Sequence, residues 1–385
     1  MKYINRLIGI ESVLQNNTVI LLGPRQTGKS TYIREELAAV VSRTYSLLQS
    51  DVYLQLSQDP SQLRKQLVAE NLRDCVVAID EIQKIPELLD EVQWLMEERR
   101  IRFLLTGSSA RKLKRSGVNL LGGRGRDRQM HPLSYAELKD EFSLEQALNR
   151  GLIPSHYFAD DADDALRAYI GRYLTEEIRD EGWVRKIPPF ARFLEVAAAH
   201  NASLLNYTAI AQDAQIPRQT IQTYFQILYD TLLAFEVMPF TQSRKRKPIM
   251  TPKFYFFDVG IVRALRKIAS ISPGSQDYGM AFEHFIFHEI KTYCAYRRPG
   301  TEVKYWRSAS GFEVDFIVGD RLAIECKASS RVHVGDLKGL NALKEEGLGL
   351  KSLVVSTQGH KTMEGDVTIY PWQQFLDELW RGELF

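Results

Sequence analysis

At 385 residues the chain exceeds what one ordinary hydrophobic core organises, and domains of roughly 100–200 residues imply two to four of them. A hydrophobic content of 44% with 25% charged residues excludes disordered and fibrous classes, and a net charge of only +2 means that a nucleic-acid partner would have to be met by local basic stretches. Three scattered cysteines, Cys75, Cys294 and Cys326, read as reduced core residues, and no apolar run approaches the ~18 residues of a membrane span, so the expectation is a cytoplasmic protein with no membrane partner.

The first strand is the apolar run Thr18-Val19-Ile20-Leu21-Leu22, and Gly23-Pro24-Arg25-Gln26-Thr27-Gly28-Lys29-Ser30 follows it directly. This is G-x-x-x-x-G-K-S in the context a phosphate-binding loop requires, with backbone N–H groups of residues 23–31, Thr31 included, facing phosphate oxygens. Lys29 is expected to reach the β- and γ-phosphates of ATP and Ser30 to hold Mg²⁺. A second buried run, Cys75-Val76-Val77-Ala78-Ile79, ends in Asp80-Glu81. Acidic residues at the carboxyl end of a parallel strand sit where such sheets bind ligands, which makes Asp80 a Mg²⁺ ligand and Glu81 the residue that orients or deprotonates water; the same pair could simply open the next helix. A third run, Ile101–Leu105, ends in Thr106-Gly107-Ser108-Ser109, where Ser108 can sense the γ-phosphate or serve as an ordinary helix cap. Alternating β and α segments with short connections predict an α/β fold with a doubly wound, mainly parallel sheet.

The segment Gly122-Gly123-Arg124-Gly125-Arg126-Asp127-Arg128 then leads to Pro132-Leu133-Ser134-Tyr135-Ala136-Glu137. Together with the preceding motifs it resembles AAA+-type ATP-binding proteins that carry a C-terminal domain of unknown function, and the resemblance covers nearly the whole chain. It implies a P-loop AAA+ ATPase core over 1–140 and a homo-oligomeric ring, a hexamer being one size such assemblies take. It also makes Arg124 the arginine that reaches a neighbouring subunit's γ-phosphate, with Arg126 and Arg128 as competitors. The alternative is a solvated or phosphate-contacting loop.

A helical lid or linker is expected over 141–185, its Asp160–Asp164 run capping a helix rather than binding metal. Over 186–262, three helices at helix-turn-helix spacing are followed by a hairpin, the order of a winged helix. Arg218, Gln219 and Thr220 near the start of its third helix are candidate DNA contacts, and Arg244, Lys245, Arg246 and Lys247 at the hairpin tip could neutralise phosphates or pack a subunit. Lys253-Phe254-Tyr255-Phe256-Phe257-Asp258-Val259-Gly260 resembles the family's K-x-Y-F-x-D-x-G junction. Over 263–385, Glu283 on a helix, Asp315 on one strand and Glu325 with Lys327 on the next match the PD-(D/E)xK pattern of restriction-endonuclease-like folds, with Asp315 and Glu325 able to hold a second divalent cation. The resulting expectation is an ATP-hydrolysing motor or remodelling ATPase acting on duplex, single-stranded or branched DNA. An ATP-gated nuclease and a nucleotide-switched DNA-binding regulator are the alternatives.

Overall fold

The structure is a computed structural model and describes residues 2–109, 125–174 and 187–385. The chain divides into two compact units, residues 2–131 with 230–233, and residues 132–229 with 234–385.

The first unit is built on five parallel strands, β1 (Thr18–Leu22), β2 (Val41–Ser46), β3 (Val76–Asp80), β4 (Arg102–Gly107) and β5 (Gly125–Gln129), in the order β2-β3-β4-β1-β5. The three central strands are the three apolar runs, because a strand covered by helices on both faces has no polar side to show. Leu56, Leu63 and Leu67 from helices Ser50–Gln58 and Ser61–Ala69, and Leu88, Val92 and Leu95 from helix Leu88–Arg99, close over Val77, Ile79, Phe103 and Leu105. Strand β5 carries Arg126 and Arg128, for which the sequence left a solvated or phosphate-contacting loop as the alternative to an arginine finger. Among the described residues it is an edge strand paired with β1, and its Gly-Arg-Asp-Arg-Gln sequence is half solvated, so no apolar run announces it.

In the second unit, helix Ile187–Ala199, β6 (Ser203–Leu204), helices Tyr207–Ala214 and Arg218–Asp230, β7 (Ala234–Val237) and β8 (Lys253–Phe256) follow one another, with β8 central in a three-stranded antiparallel sheet. Asp161 caps helix Ala162–Ala168 through a 2.8 Å bond from Asp164 N, so the acidic run does serve a helix N-terminus. Beyond these, the 22-residue helix Gln276–Arg297 lies with a six-stranded sheet: β9 (Val303–Arg307), β10 (Glu313–Val318), β11 (Leu322–Lys327), β12 (Lys351–Ser356), β13 (Thr362–Glu364) and β14 (Val367–Pro371). Their order is β13-β14-β12-β11-β10-β9; β9, β10 and β11 run antiparallel, and β11, β12 and β14 parallel.

Strand β8 joins these parts because alternate side chains leave a strand on opposite faces. Phe254 packs edge-on against Phe225 of helix Arg218–Asp230 at 4.9 Å, while Tyr255 stacks on Phe287 of helix Gln276–Arg297 at 4.2 Å. Strands β7 and β8 pair antiparallel, and the connection 238–252 between them is laid along β9, with Phe240 N donating to Tyr305 O at 2.7 Å and Ile249 N to Arg307 O at 2.8 Å.

Candidate functional site

The phosphate-binding loop lies between β1 and helix Lys29–Glu35, at the carboxyl end of the first sheet. Gly28, at φ 96°, makes the left-handed turn into that helix. Thr27 Oγ1 donates to Pro24 O at 2.7 Å and braces the loop from inside. The Lys29 ammonium, 5% exposed, donates to Gly23 O at 2.7 Å and Pro24 O at 3.0 Å, holding the loop in a closed ring. Arg25 is half-buried and Gln26 is exposed on the outside of the turn. Ser30 Oγ donates to Asp80 Oδ2 at 2.6 Å, and the Thr106 hydroxyl donates to Asp80 Oδ1. The two oxygen donors proposed for Mg²⁺ therefore already meet, although 50 residues separate them in sequence.

Glu81 sits in the left-handed region, at φ 63°, a conformation unusual for a side-chain-bearing residue. Its carboxylate accepts from the amide of Gln83, which also donates to Ser108 Oγ at 3.2 Å. Gln83 thus links the proposed base to the proposed sensor, a role the sequence reading missed. Gly107 makes room for it, since a Cβ there would lie 2.5 Å from Gln83 Oε1. A second missed residue is Arg6, 7% exposed, whose Nη1 donates to Thr27 O at 2.6 Å and Nη2 to His131 O at 2.7 Å. Of the three finger candidates, Arg124 lies outside the described residues; Arg126 is exposed and Arg128 half-buried on β5.

In the second unit the four residues of the nuclease-like pattern converge. Asp315 on β10 and Glu325 on β11 are both 8% exposed, Cys326 N donates to Asp315 Oδ2 at 2.8 Å, and the Lys327 ammonium pairs with Glu325 Oε1 at 2.8 Å. Tyr255 OH donates to Glu283 Oε1 at 2.6 Å. Two residues outside the pattern join them: Glu313 and Lys253. The Lys253 ammonium lies 2.5 Å from Glu313 Oε1, 3.5 Å from Glu283 Oε1 and 4.0 Å from Asp315 Oδ1. Burial, reinforced by the Glu325 and Glu283 charges, holds the Asp315 carboxyl well above the usual carboxylate range. Burial also raises Glu325 despite the Lys327 charge beside it, and Glu325 Oε2 is buried without a hydrogen-bond partner among the described residues. Among the described residues no three His, Cys, Asp or Glu side chains form a metal-holding group.

Residues 15–139 match the family described as AAA domain, 141–272 a domain of unknown function (DUF8612), and 278–375 another (DUF4143). Residues 15–139 are thus similar to AAA domains, and the stretches after them to two domains of unknown function. Two uncharacterized proteins, one from Mycobacterium bovis and one from Mycobacterium tuberculosis, are each 23% identical to this chain over 306 residues, covering 78% of it and 67% of theirs. The solved Aeropyrum pernix ORC1 protein in complex with DNA is matched over 68% of this chain and 91% of its own, at 12% identity and a TM-score of 0.28, too loose a likeness to carry anything across. No helix among the described residues is long and apolar enough to cross a membrane.

In the middle segment, Arg218 and Gln219 are exposed and Thr220 half-exposed at the start of helix Arg218–Asp230, whose other face buries Ile221, Tyr224, Phe225 and Leu228. The basic cluster is divided. Arg246 pairs with Glu345 at 2.5 Å and Glu346 at 3.3 Å, and the Glu346 carboxylate also accepts the backbone N–H groups of Arg244 and Lys245, both at 2.6 Å. The side chains of Arg244, Lys245 and Lys247 remain exposed. The junction motif, noted in the sequence only as a resemblance, has a physical account. Asp258 Oδ2 accepts from Leu152 N at 2.6 Å and Oδ1 from Ile261 N at 3.1 Å, tying the preceding helical segment to helix Val259–Leu265. Gly260 lies so close to the Arg150 backbone that a Cβ would fall 2.5 Å from it.

Proposed function

We propose that this protein hydrolyses ATP in a Mg²⁺-dependent reaction and uses the cycle to move or remodel DNA, working as a homo-oligomer. The observation that carries the ATPase half is the direct bond between Ser30 and Asp80, with Glu81 next in the chain and Thr106 on the other Asp80 oxygen. This donor set fits a magnesium nucleotide: Ser30 and Asp80 supply hard oxygen ligands, while the loop N–H groups and Lys29 supply phosphate donors. Bound there, Mg-ATP would supply an electrophilic γ-phosphoryl group and the charge that shields it. Lys29 would exchange the Gly23 and Pro24 carbonyls for phosphate oxygens, and Glu81 would orient or deprotonate water. An arginine of a neighbouring copy, Arg124, Arg126 or Arg128, would stabilise charge developing on the phosphoryl oxygens.

For the DNA half, the helix-strand-helix-helix-strand-strand order of residues 187–256 supports a winged-helix reading. Exposed Arg218, Gln219 and Thr220 would face base edges, and exposed Arg244, Lys245 and Lys247 would face phosphates. Arg246 is assigned instead to anchoring the wing, because its charge is matched by Glu345 and Glu346. The C-terminal sheet is read as restriction-endonuclease-like, since Asp315, Glu325 and Lys327 occupy neighbouring strands beside helix-borne Glu283. Fold alone does not assign it a cleavage reaction.

The deciding experiment is steady-state ATPase with no DNA and with single-stranded, duplex and branched DNA. Lys29→Ala is expected to abolish turnover, and Glu81→Gln to bind ATP but lose about 10²–10⁴ in kcat. Stimulation by at least one DNA form supports the motor reading. Tight sequence-specific binding with no stimulation would replace it with a nucleotide-switched regulator.

A further inference from the structure

A divalent ion held by the carboxylates of β10 and β11 would need several oxygen ligands free to turn toward it. In this protein those carboxylates already have a cation among them. Lys253 comes from β8, outside the C-terminal segment, and reaches the cluster because it shares a strand face with Tyr255. Its side chain is 4% exposed and its ammonium lies within 4.0 Å of Glu313, Glu283 and Asp315. The Tyr255 hydroxyl fixes the same Glu283 oxygen, and Lys327 is committed to Glu325 Oε1. Buried Glu325 Oε2, without a partner among the described residues, is the oxygen this arrangement leaves unmatched.

We propose that Lys253 is an intramolecular counter-ion that closes the Glu283–Glu313–Asp315–Glu325 cluster to divalent metal. The inference rests on the nuclease-like reading of the sheet and adds its regulation. An ammonium in contact with three carboxylates, joined by Arg307 on Glu313 at 3.3 Å and Lys327 on Glu325, offsets much of the cluster's charge and repels a further cation, so metal can enter only when β8 and the sheet separate. The lock is held from the middle segment: Phe254, next to Lys253, packs on Phe225 of helix Arg218–Asp230, whose exposed start carries the proposed DNA contacts. Binding that displaces this helix has a direct mechanical route to the Lys253 ammonium.

The test is Mn²⁺ uptake by the full-length chain, followed by the electron paramagnetic resonance of free Mn²⁺, in an Asp80→Asn background that removes the phosphate-loop metal ligand. With Lys253 present, no Asp315-dependent uptake is expected. Lys253→Met should take up Mn²⁺ at least ~10-fold more tightly, the direction Coulomb repulsion dictates, and adding Asp315→Asn should abolish the gain. Equal, Asp315-dependent uptake with and without Lys253 overturns the lock while leaving the nuclease-like site standing. Uptake in neither protein overturns both, without touching the ATPase reading. Should circular dichroism show Lys253→Met unfolded, Lys253→Gln, which keeps a donor toward Glu313, is judged by the same criteria.

Discussion

Gln83 shows how much of the ATPase site depends on one neutral side chain. Its amide spans Glu81 and Ser108, and a Cβ at position 107 would lie 2.5 Å from its Oε1. Gln83→Ala should therefore lower kcat by about 10-fold with little change in ATP affinity, since a misplaced base costs rate rather than ground-state binding. Fluorescent-nucleotide titration beside turnover measurements separates the two; loss of affinity with kcat unchanged would remove Gln83 from the positioning role. At this scale the sequence is legible where chemistry sits at strand ends. Lys29, Ser30, Asp80 and Glu81 are recognisable because their residue types follow buried apolar runs. Arg6 and Gln83 are not, because each acts through a tertiary approach that leaves no local pattern, and Lys253, though it opens the junction motif, shows nothing there of its approach to the carboxylates. Arg6, for example, meets the carbonyl of His131, 125 residues away.

Elements buried on both faces were legible from apolar runs, whereas β5, an edge of the first sheet, is polar and shows no such run. The connection 238–252 shows a different limit. Four consecutive cations suggest a solvated tip, but Glu346, about a hundred residues later, accepts from Arg244 N and Lys245 N and pairs with Arg246. Glu346→Ala would leave two backbone donors and a guanidinium without that acceptor. We expect it to cost about 2–3 kcal/mol in urea denaturation and to speed hydrogen exchange across 238–252. A variant as stable and as slow to exchange as the parent would show that the wing is held by its bonds to β9 alone. Neutralising Arg244, Lys245 and Lys247 together should weaken DNA binding evenly across sequences and flatten its salt dependence, by a slope change of about 1 for each phosphate no longer neutralised. An unchanged slope would turn the wing into a packing element.

At the scale of the second unit, Glu289 joins distant parts of the chain. Fully buried on helix Gln276–Arg297, it accepts from Tyr135 N at 2.8 Å and Trp380 Nε1 at 2.9 Å. Burial pushes its carboxyl up to about 8, against the pull of those two donors, with Glu137 adding to the rise. In the unfolded chain it returns to the ordinary glutamate range, so between roughly pH 4.5 and 8 the folded state holds the extra proton. This contribution to stability is complete below the unfolded value and is lost as pH rises through about 8. Thermal melts from pH 5 to 8 should therefore fall more steeply for the parent than for Glu289→Gln; parallel curves would mean that the carboxyl is ionised throughout.

Strand β8 has a consequence for how this protein can be taken apart. Its two faces belong to different neighbours: Phe254 to helix Arg218–Asp230, and Lys253 and Tyr255 to the carboxylates around Asp315. The stretches that relatives share divide between residues 272 and 278, well after this strand. A fragment cut there would keep Glu283, Glu313, Asp315 and Glu325 but forfeit the ammonium and the phenol that quiet them. What is inherited as a separable segment is thus not what coheres as one, and any exchange of the C-terminal segment between relatives must carry β8 along with it.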